Sequence, residues 1–342
     1  MSNRFHRVAA TAIAATLFVS PSLAAGQTIP SVPPTQGSVC PDNNPLAVLA
    51  CAREQAKTFK APRTKDGKPD LSGYWGGTQI PHENLEAHPR TPDDNGGPSF
   101  IVDPADGRVP MQAWAEAQRA QNRAKYIDQN AQCFQSGVPR HLYMGQYQFL
   151  QTPTRLVQLS EETNAFRNIV LDGRPHVGKD IVLWQGDSRG RWEGETLVVE
   201  TRNQNGRAWL DQQGRFVTDT AVITERFMMF EQNSLLWEIT INDPLVYTRP
   251  FSMASALRRN TRAGFEIWEE SCYEGEANSD HLRNLGYRTY PGISSREAQV
   301  LKDAFERAAA TRSSKLTHGY QPRVSQSQLL LLSRLSLRLT TP

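Results

Sequence analysis

Gly186-Asp187-Ser188-Arg189-Gly190 has the spacing of a hydrolase nucleophile elbow. An elbow needs a strand before the serine and a helix after it, so that a strained turn lifts the hydroxyl clear. Beyond Gly190 the chain instead runs through Trp192-Glu193-Gly194-Glu195-Thr196 into Leu197, Val198 and Val199, a β-branched run after a glycine turn. That pattern predicts a hairpin. The serine-hydrolase reading therefore survives only if a histidine and a carboxylate stand beside Ser188.

Proton transfer has better candidates. Asp172-Gly173-Arg174-Pro175-His176 sets a histidine beside a turn, with a carboxylate and a guanidinium close by. Histidine changes charge most readily near neutral pH, so His176 is the first candidate base, with Asp172 and Arg174 as its neighbours. The plainer alternative is that Asp172-Gly173 closes a hairpin and His176 begins the next strand. His141 is second. Around it, Arg140, Tyr143 and Tyr147 have the chemistry to hold a phenolate or a carboxylate, the arginine through its planar fork.

Glu225 and Arg226, and Glu238 on an alternating run, are candidates for an internal base or ion pair if they face inward, because buried charges need partners. Facing outward, they line a solvated sheet surface. Asp243 reads as turn chemistry, with Tyr247 as a candidate phenol donor and Arg249 as a candidate ligand contact nearby. Trp184, Trp192, Trp209 and Trp237 read as core, with one or two available to stack on an aromatic ligand. His82 and His88 share neither a helix face nor a common metal spacing, and no metal is expected.

The chemistry is bounded by compartment. Arg4, His6 and Arg7 precede an apolar run over 8–19, and Ser22-Leu23-Ala24 supplies small residues for a cut, which predicts a secretory signal peptide over 1–24. No later run is long enough to span a bilayer, so a periplasmic protein without stable membrane insertion is expected. Four cysteines fit export. Three pairings are open, the natural local one being Cys40 with Cys51, which leaves Cys133 for Cys272. Zinc would need a CxxC-like spacing, and there is none.

A formal net charge of +3 without a basic stripe argues against nucleic acid as a partner. There is no P-loop and no GxGxxG opening a helix. An exported enzyme cannot rely on ATP or a recycled nicotinamide, so no cofactor is expected, and hydrolysis, isomerisation and elimination remain. The sequence does not fix an oligomeric state.

The positioning elements are mostly strands. With 23 Gly and 22 Pro scattered along it, the chain reads as β-rich and turn-rich. Asn44-Pro45 predicts a helix over 45–58, Trp75 lies in the first barrel strand, and 81–110 is a long loop of the kind that covers a site. A second helix is expected over 111–129. Short β-branched or aromatic runs then extend from "QYQFLQTPTRLVQLSEE" to "FEIWEESCYE". Leu235, Trp237, Ile239 and Ile241 alternate with Leu236, Glu238 and Thr240, whose polar side is expected to face a ligand cavity. Ser294-Ser295-Arg296-Glu297 is a capping box opening a helix with an apolar stripe at Ala298, Leu301, Ala304, Phe305 and Ala308. The expected fold is mainly β, an antiparallel lipocalin-like (calycin-like) barrel or meander with flanking helices. Its parts are an arm over 25–61, the barrel over 62–290, a helix and tail over 291–323, and a disordered tail over 324–342.

Several motifs in order, "PRTKDGKPDLSGYW", "CFQSGVPR", "DGRPH", "WQGDSRGRWEGETLVVET", "TERF" and "INDPLVYTRPF", resemble those of a family of exported proteobacterial proteins. Gly73-Tyr74-Trp75 also resembles the opening of lipocalin-like barrels. Some members of the family resemble cofactor-free lyases that release formaldehyde from the hydroxymethyl group of phenylcoumaran-type lignin dimers. The resemblance implies a small aromatic substrate and an elimination: a base takes the primary hydroxyl proton, the carbon-carbon bond breaks, and a quinone methide accepts the electrons. In this chain Arg140 is followed by His141 where relatives are expected to carry an apolar residue. A binding protein for the same ligand, without turnover, is the alternative.

Overall fold

Alternation with a period of two governs the chain from Gly73 to Arg259. The structure, a computed structural model, describes residues 38–78, 81–92, 94–269, 284, 286 and 288–317. Its strands are β1 (Gly73–Gly77), β2 (Ile101–Asp103), β3 (Tyr126–Ile127), β4 (Gln146–Thr152), β5 (Arg155–Ser160), β6 (Phe166–Val170), β7 (Asp187–Glu193), β8 (Thr196–Arg202), β9 (Val222–Glu231), β10 (Ser234–Asn242), β11 (Phe251–Arg259) and β12 (Arg288–Thr289). The helices are α1 (Pro45–Ala56), α2 (Ala113–Lys125) and α3 (Ser295–Thr317).

Nine of these strands, β1 and β4 to β11, succeed one another around a closed barrel that is sealed by pairing of β1 with β11. Strand direction must return to its starting sense around a closed ring, so the number of antiparallel steps is even. Nine strands therefore require a parallel step. It falls between β6 and β7, where Ile169 lies opposite Ser188 and Val170 opposite Arg189. The expected antiparallel barrel is thus a mixed one, and the connection over 171–186 must run back along the outside of the wall. The strand pair β3 and β12 forms a separate small parallel ribbon.

Apolar side chains meet across the interior. Phe149 of β4 and Phe227 of β9 are on strands that are not neighbours, yet their rings meet edge to face at 6.1 Å, so they cross the barrel. Leu235, Trp237, Ile239 and Ile241 join the same buried cluster. Glu238 therefore faces out, the reverse of the expectation that this strand turns its polar side inward, because the apolar side is what fills the core. There it pairs with Arg53 of α1 at 2.5 Å.

Helix α1 starts as its sequence requires: Asn44 accepts a hydrogen bond from Ala47 N, and Pro45 occupies the first turn. It buries Val48 and Ala52 against Phe230, Leu236 and Ala256. The outward residues of β11, Ser252, Ala254 and Ala256, are small, which lets the helix approach. This strand replaces the one expected at "FEIWEESCYE", whose residues 265–269 are not a strand and whose remainder lies outside the described residues. The Ser294/Glu297 capping box forms as expected. Of the α3 stripe, Ala298 is buried whereas Leu301 and Phe305 are exposed.

The connections divide by end. Tight turns link β4 to β5, β7 to β8 and β9 to β10 at one end, with Gly194 in the left-handed region at φ 61° where β7 turns into β8. The long segments over 78–145, 161–165, 203–221 and 243–250 gather at the other, the loop end.

Cys40 and Cys51 are joined, stapling the approach to α1 onto the helix. Cys133 is disulfide-bonded, and Cys272, expected as its partner, lies outside the described residues, as do the predicted leader over 1–24 and the tail over 324–342. Among the described residues, no helix is long and apolar enough to cross a membrane. Replacing Cys40 and Cys51 together by Ala should lower unfolding stability by about 2–3 kcal/mol, the loop-entropy value for so short a span. Urea denaturation measures it, with a slope equal to or steeper than that of the disulfide form because the unfolded chain is less constrained.

Candidate functional site

Inside the barrel, Arg167 of β6 and Glu225 of β9 form an ion pair with essentially no solvent exposure. The guanidinium also donates from Nε to Ser188 Oγ at 2.9 Å, from Nη1 to Gln158 Oε1 at 3.2 Å and from Nη2 to Thr201 Oγ1 at 2.7 Å. The indole of Trp237 donates to the other oxygen of Glu225 at 3.1 Å. The buried charges are matched and hydrogen-bonded, which is the condition for their survival in a core.

The segment after Gly137 connects this network to the loop end. Gly137 sits at φ 70°, and Ala208 Cβ and Gln204 Oε1 stand 3.0 Å from where a Cβ would be, so the turn needs glycine. A 3-10 turn at Arg140–Leu142 comes next, sending two neighbours in different directions. His141 turns into the barrel and shares a 3.0 Å hydrogen bond from Nε2 with Gln158 Oε1. Burial, and then the charge of Arg167, lower its pKa to about 3.

Arg140 is fully buried behind His82 and Asp128, two of the residues that line a cleft of about 240 Å³ with Asn130, Ala131, Met144, Glu162, Thr163 and Gln212. Asp128 takes two hydrogen bonds from its guanidinium, at 3.0 and 2.5 Å, and fixes it in place. The same guanidinium lies 3.2–3.4 Å from both ring nitrogens of His82. Burial, and then the charge of Arg140, lower the pKa of His82 to about 4 against a smaller opposing effect of Asp128. His82 is therefore a neutral imidazole at pH 7. Its loop is pinned by Gln212 N donating to His82 O at 2.9 Å and Leu85 N donating to Asp211 Oδ2 at 3.1 Å. Across the cleft, Asn130 Nδ2 and Ser136 Oγ donate to Glu162 Oε1.

Of the residues expected at a site, Arg140, His141, Tyr143, Tyr147, Glu225 and Tyr247 are buried on the core side of the wall or at its loop end. Tyr247 is spent there, its hydroxyl donating to Phe216 O at 2.7 Å. The others are elsewhere. His176 lies against the outer face of β7 and β8, with Nδ1 2.7 Å from Asp187 and Nε2 3.3 Å from Glu200. It docks the returning connection, which parity forces outside, and does not reach the interior. Asp172 and Arg174 pair with each other at the surface, Arg226 pairs with Glu193, Arg249 pairs with Asp103, and Trp184 stacks on Phe134.

Residues 187–202 form the expected hairpin, with Gly190 opposite Val199. Ser188 lies within β7, almost fully buried, with Arg167 and Thr201 on its hydroxyl, and among the described residues no imidazole is hydrogen-bonded to it as a triad would need. His82, Asp128 and Glu162 are not among the residues that the sequence marks for a site. The signal for His82 is its place in the long loop over 81–110; for Asp128 and Glu162 the sequence carries none, since each acts through a partner distant in the chain. His88 is taken up by Asp94 within its own loop, and no cluster of metal-binding side chains occurs among the described residues.

No family model matches the chain, and no curated protein and no solved structure matches it.

Removing one partner of the central pair, by Arg167→Met or Glu225→Leu, should cost about 3–5 kcal/mol, because the other charge stays buried alone. Denaturant titration reads this directly. Both depressed histidines also predict a pH dependence. Between an ordinary histidine pKa of about 6.5 and the folded values near 4 for His82 and 3 for His141, the unfolded chain binds protons that the folded one does not. Stability should fall as pH falls through that window, by up to about 1.4 kcal/mol per pH unit for each histidine. His82→Gln and His141→Gln should each flatten the slope.

Proposed function

We propose that the protein is an exported, cofactor-independent carbon-carbon lyase that releases formaldehyde from a hydroxymethyl-bearing, lignin-type aromatic compound at the loop-end cleft. The observation that carries this reading is His82, an imidazole kept neutral directly against a fully buried arginine that Asp128 holds fixed. A proton acceptor beside a positioned cation is what an elimination through an anionic aromatic oxygen requires. A carrier needs only apolar walls.

In this reading His82 takes the proton of the primary hydroxyl. In a phenylcoumaran-type dimer the para-phenolate first expels the benzylic aryl-ether oxygen, opening the ring to a quinone methide and a second phenolate; the carbon-carbon bond to the hydroxymethyl carbon then breaks as its C=O forms, and the electron pair passes into the quinone methide, leaving formaldehyde, a stilbene and a phenolate. The charge of Arg140, buried directly behind the His82 wall of the cleft, stabilises the developing negative oxygen through its field. That negative charge offsets the field of Arg140 on His82, so the imidazole becomes more basic as the reaction proceeds. A cleft of about 240 Å³ exceeds the ~150 Å³ that accommodates benzene and falls below the ~300 Å³ lower bound of sites that enclose drug-sized ligands. It suits one substituted ring, with the rest of a dimer extending outward. The Cys40–Cys51 disulfide agrees with an oxidising compartment such as the periplasm.

The test is incubation with phenolic lignin dimers bearing a hydroxymethyl group, monitoring released formaldehyde and new stilbene absorbance together. His82→Gln should lower kcat by about 100-fold or more, while His176→Gln leaves it unchanged. Binding without formaldehyde would assign a carrier instead. Loss of turnover in the His176 variant with retention in the His82 variant would move the site to the outer face.

A further inference from the structure

Four polar atoms at the loop end of the barrel interior have no hydrogen-bond partner among the described residues: Tyr143 Oη, Tyr147 Oη, His141 Nδ1 and Gln158 Nε2. Their side chains are at most 2% exposed. They share one neighbourhood. Tyr147 lies opposite Ser160, which is on the same face of β5 as Gln158. Gln158 is bonded to His141, and the ring of Tyr143 packs edge to face on Trp237 at 6.2 Å. A buried group left unpaired is costly, and native interiors keep few of them. Four in one place need a reason.

Their chemistry is complementary. Gln158 Oε1 accepts from Arg167, and a neutral His141 meets the same oxygen by donating from Nε2. That tautomer leaves Nδ1 an acceptor, which the neighbouring Gly137 carbonyl, itself an acceptor, cannot satisfy. Gln158 Nε2 is a donor, and the two tyrosine hydroxyls do either. Burial raises the pKa of both tyrosines, keeping them protonated. The full charges nearby are already paired, Arg167 with Glu225, Arg140 with Asp128 and Asp211 with Arg215, so nothing is spare to offset an incoming carboxylate.

We infer that these groups form an inner subsite for the uncharged hydroxyl of an aromatic ligand, which donates to His141 Nδ1 and accepts from Tyr143 or Tyr147. It rests on the proposed site only for its place behind the cleft, Tyr143 being followed in the chain by the cleft residue Met144. Turnover is not part of it. The subsite selects hydroxyl over carboxylate because every atom it offers is neutral.

The experiment is calorimetric titration of the full chain with phenol, methoxybenzene and benzoate, repeated with Tyr143→Phe and Tyr147→Phe. Phenol should bind at least about tenfold more tightly than methoxybenzene, which cannot donate, and benzoate should show no binding. Each Tyr→Phe change deletes an oxygen that the fold does not use. The variants should keep or raise the Tm while weakening phenol at least several-fold. Unchanged phenol affinity in both variants, benzoate binding as tightly as phenol, or no phenol binding by the unmodified protein would each overturn the subsite. So would a lowered Tm in both variants, which would give the hydroxyls to the fold. Absence of formaldehyde release would remove the lyase and leave this result standing, because only equilibrium binding is read.

Discussion

The Arg167–Glu225 pair is the constraint on which the interior depends. Its guanidinium begins on β6 and reaches Ser188 on β7, Thr201 on β8 and Glu225 on β9. The parallel step between β6 and β7 is a short one, with only Ile169 and Val170 in register. Side chains thus tie the wall together where the backbone ladder is briefest. A purely apolar core would fill the same volume but would supply no such tie, and it would give His141 and Gln158 nothing to orient against.

From that centre the molecule divides by function along the barrel axis. The end closed by tight turns is covered by the lead-in to β1, whose Arg63 pairs with Glu195 and whose Leu71 N donates to Gln151. The loop end has long segments, and they are cross-pinned: the loop of His82 is held by Gln212 and Asp211, and Arg140 is held by Asp128. A histidine on a long loop reaches a defined position only because another loop fixes its backbone. The neutral state of His82 then results from burial and the adjacent cation, without any metal or cofactor being needed to set it.

Local features are legible in the sequence because they are decided locally. Asn44-Pro45 opens α1, Gly194 turns β7 into β8, Ser294 and Glu297 cap α3, and Trp75 lies in the first barrel strand. Burial of Glu225 in its alternating strand is legible as one of two options. The features that stay hidden are all non-local. Strand β11 carries Ser252, Ala254 and Ala256 where a strand usually advertises β-branched residues, because the packing of α1 selects small ones. Glu238 reads wrongly as inward because alternation shows two faces but not which is the inner one. His176 reads as a site residue because nothing near it reveals that the connection over 171–186 must return outside. His82 gives little sign of itself because its partner Arg140 is far along the chain.

The odd number of strands also limits how such a barrel can change in evolution. Adding or removing a hairpin changes the count by two and preserves the single parallel seam, so insertions of that kind at the tight-turn end leave the direction of every remaining strand intact. Gain or loss of one strand reverses the parity. The ring could then close only by abolishing the seam between β6 and β7 or by creating another, and the external strap over 171–186 would be lost or duplicated with it. Barrels descended from this one should therefore differ in size by pairs of strands wherever that strap persists.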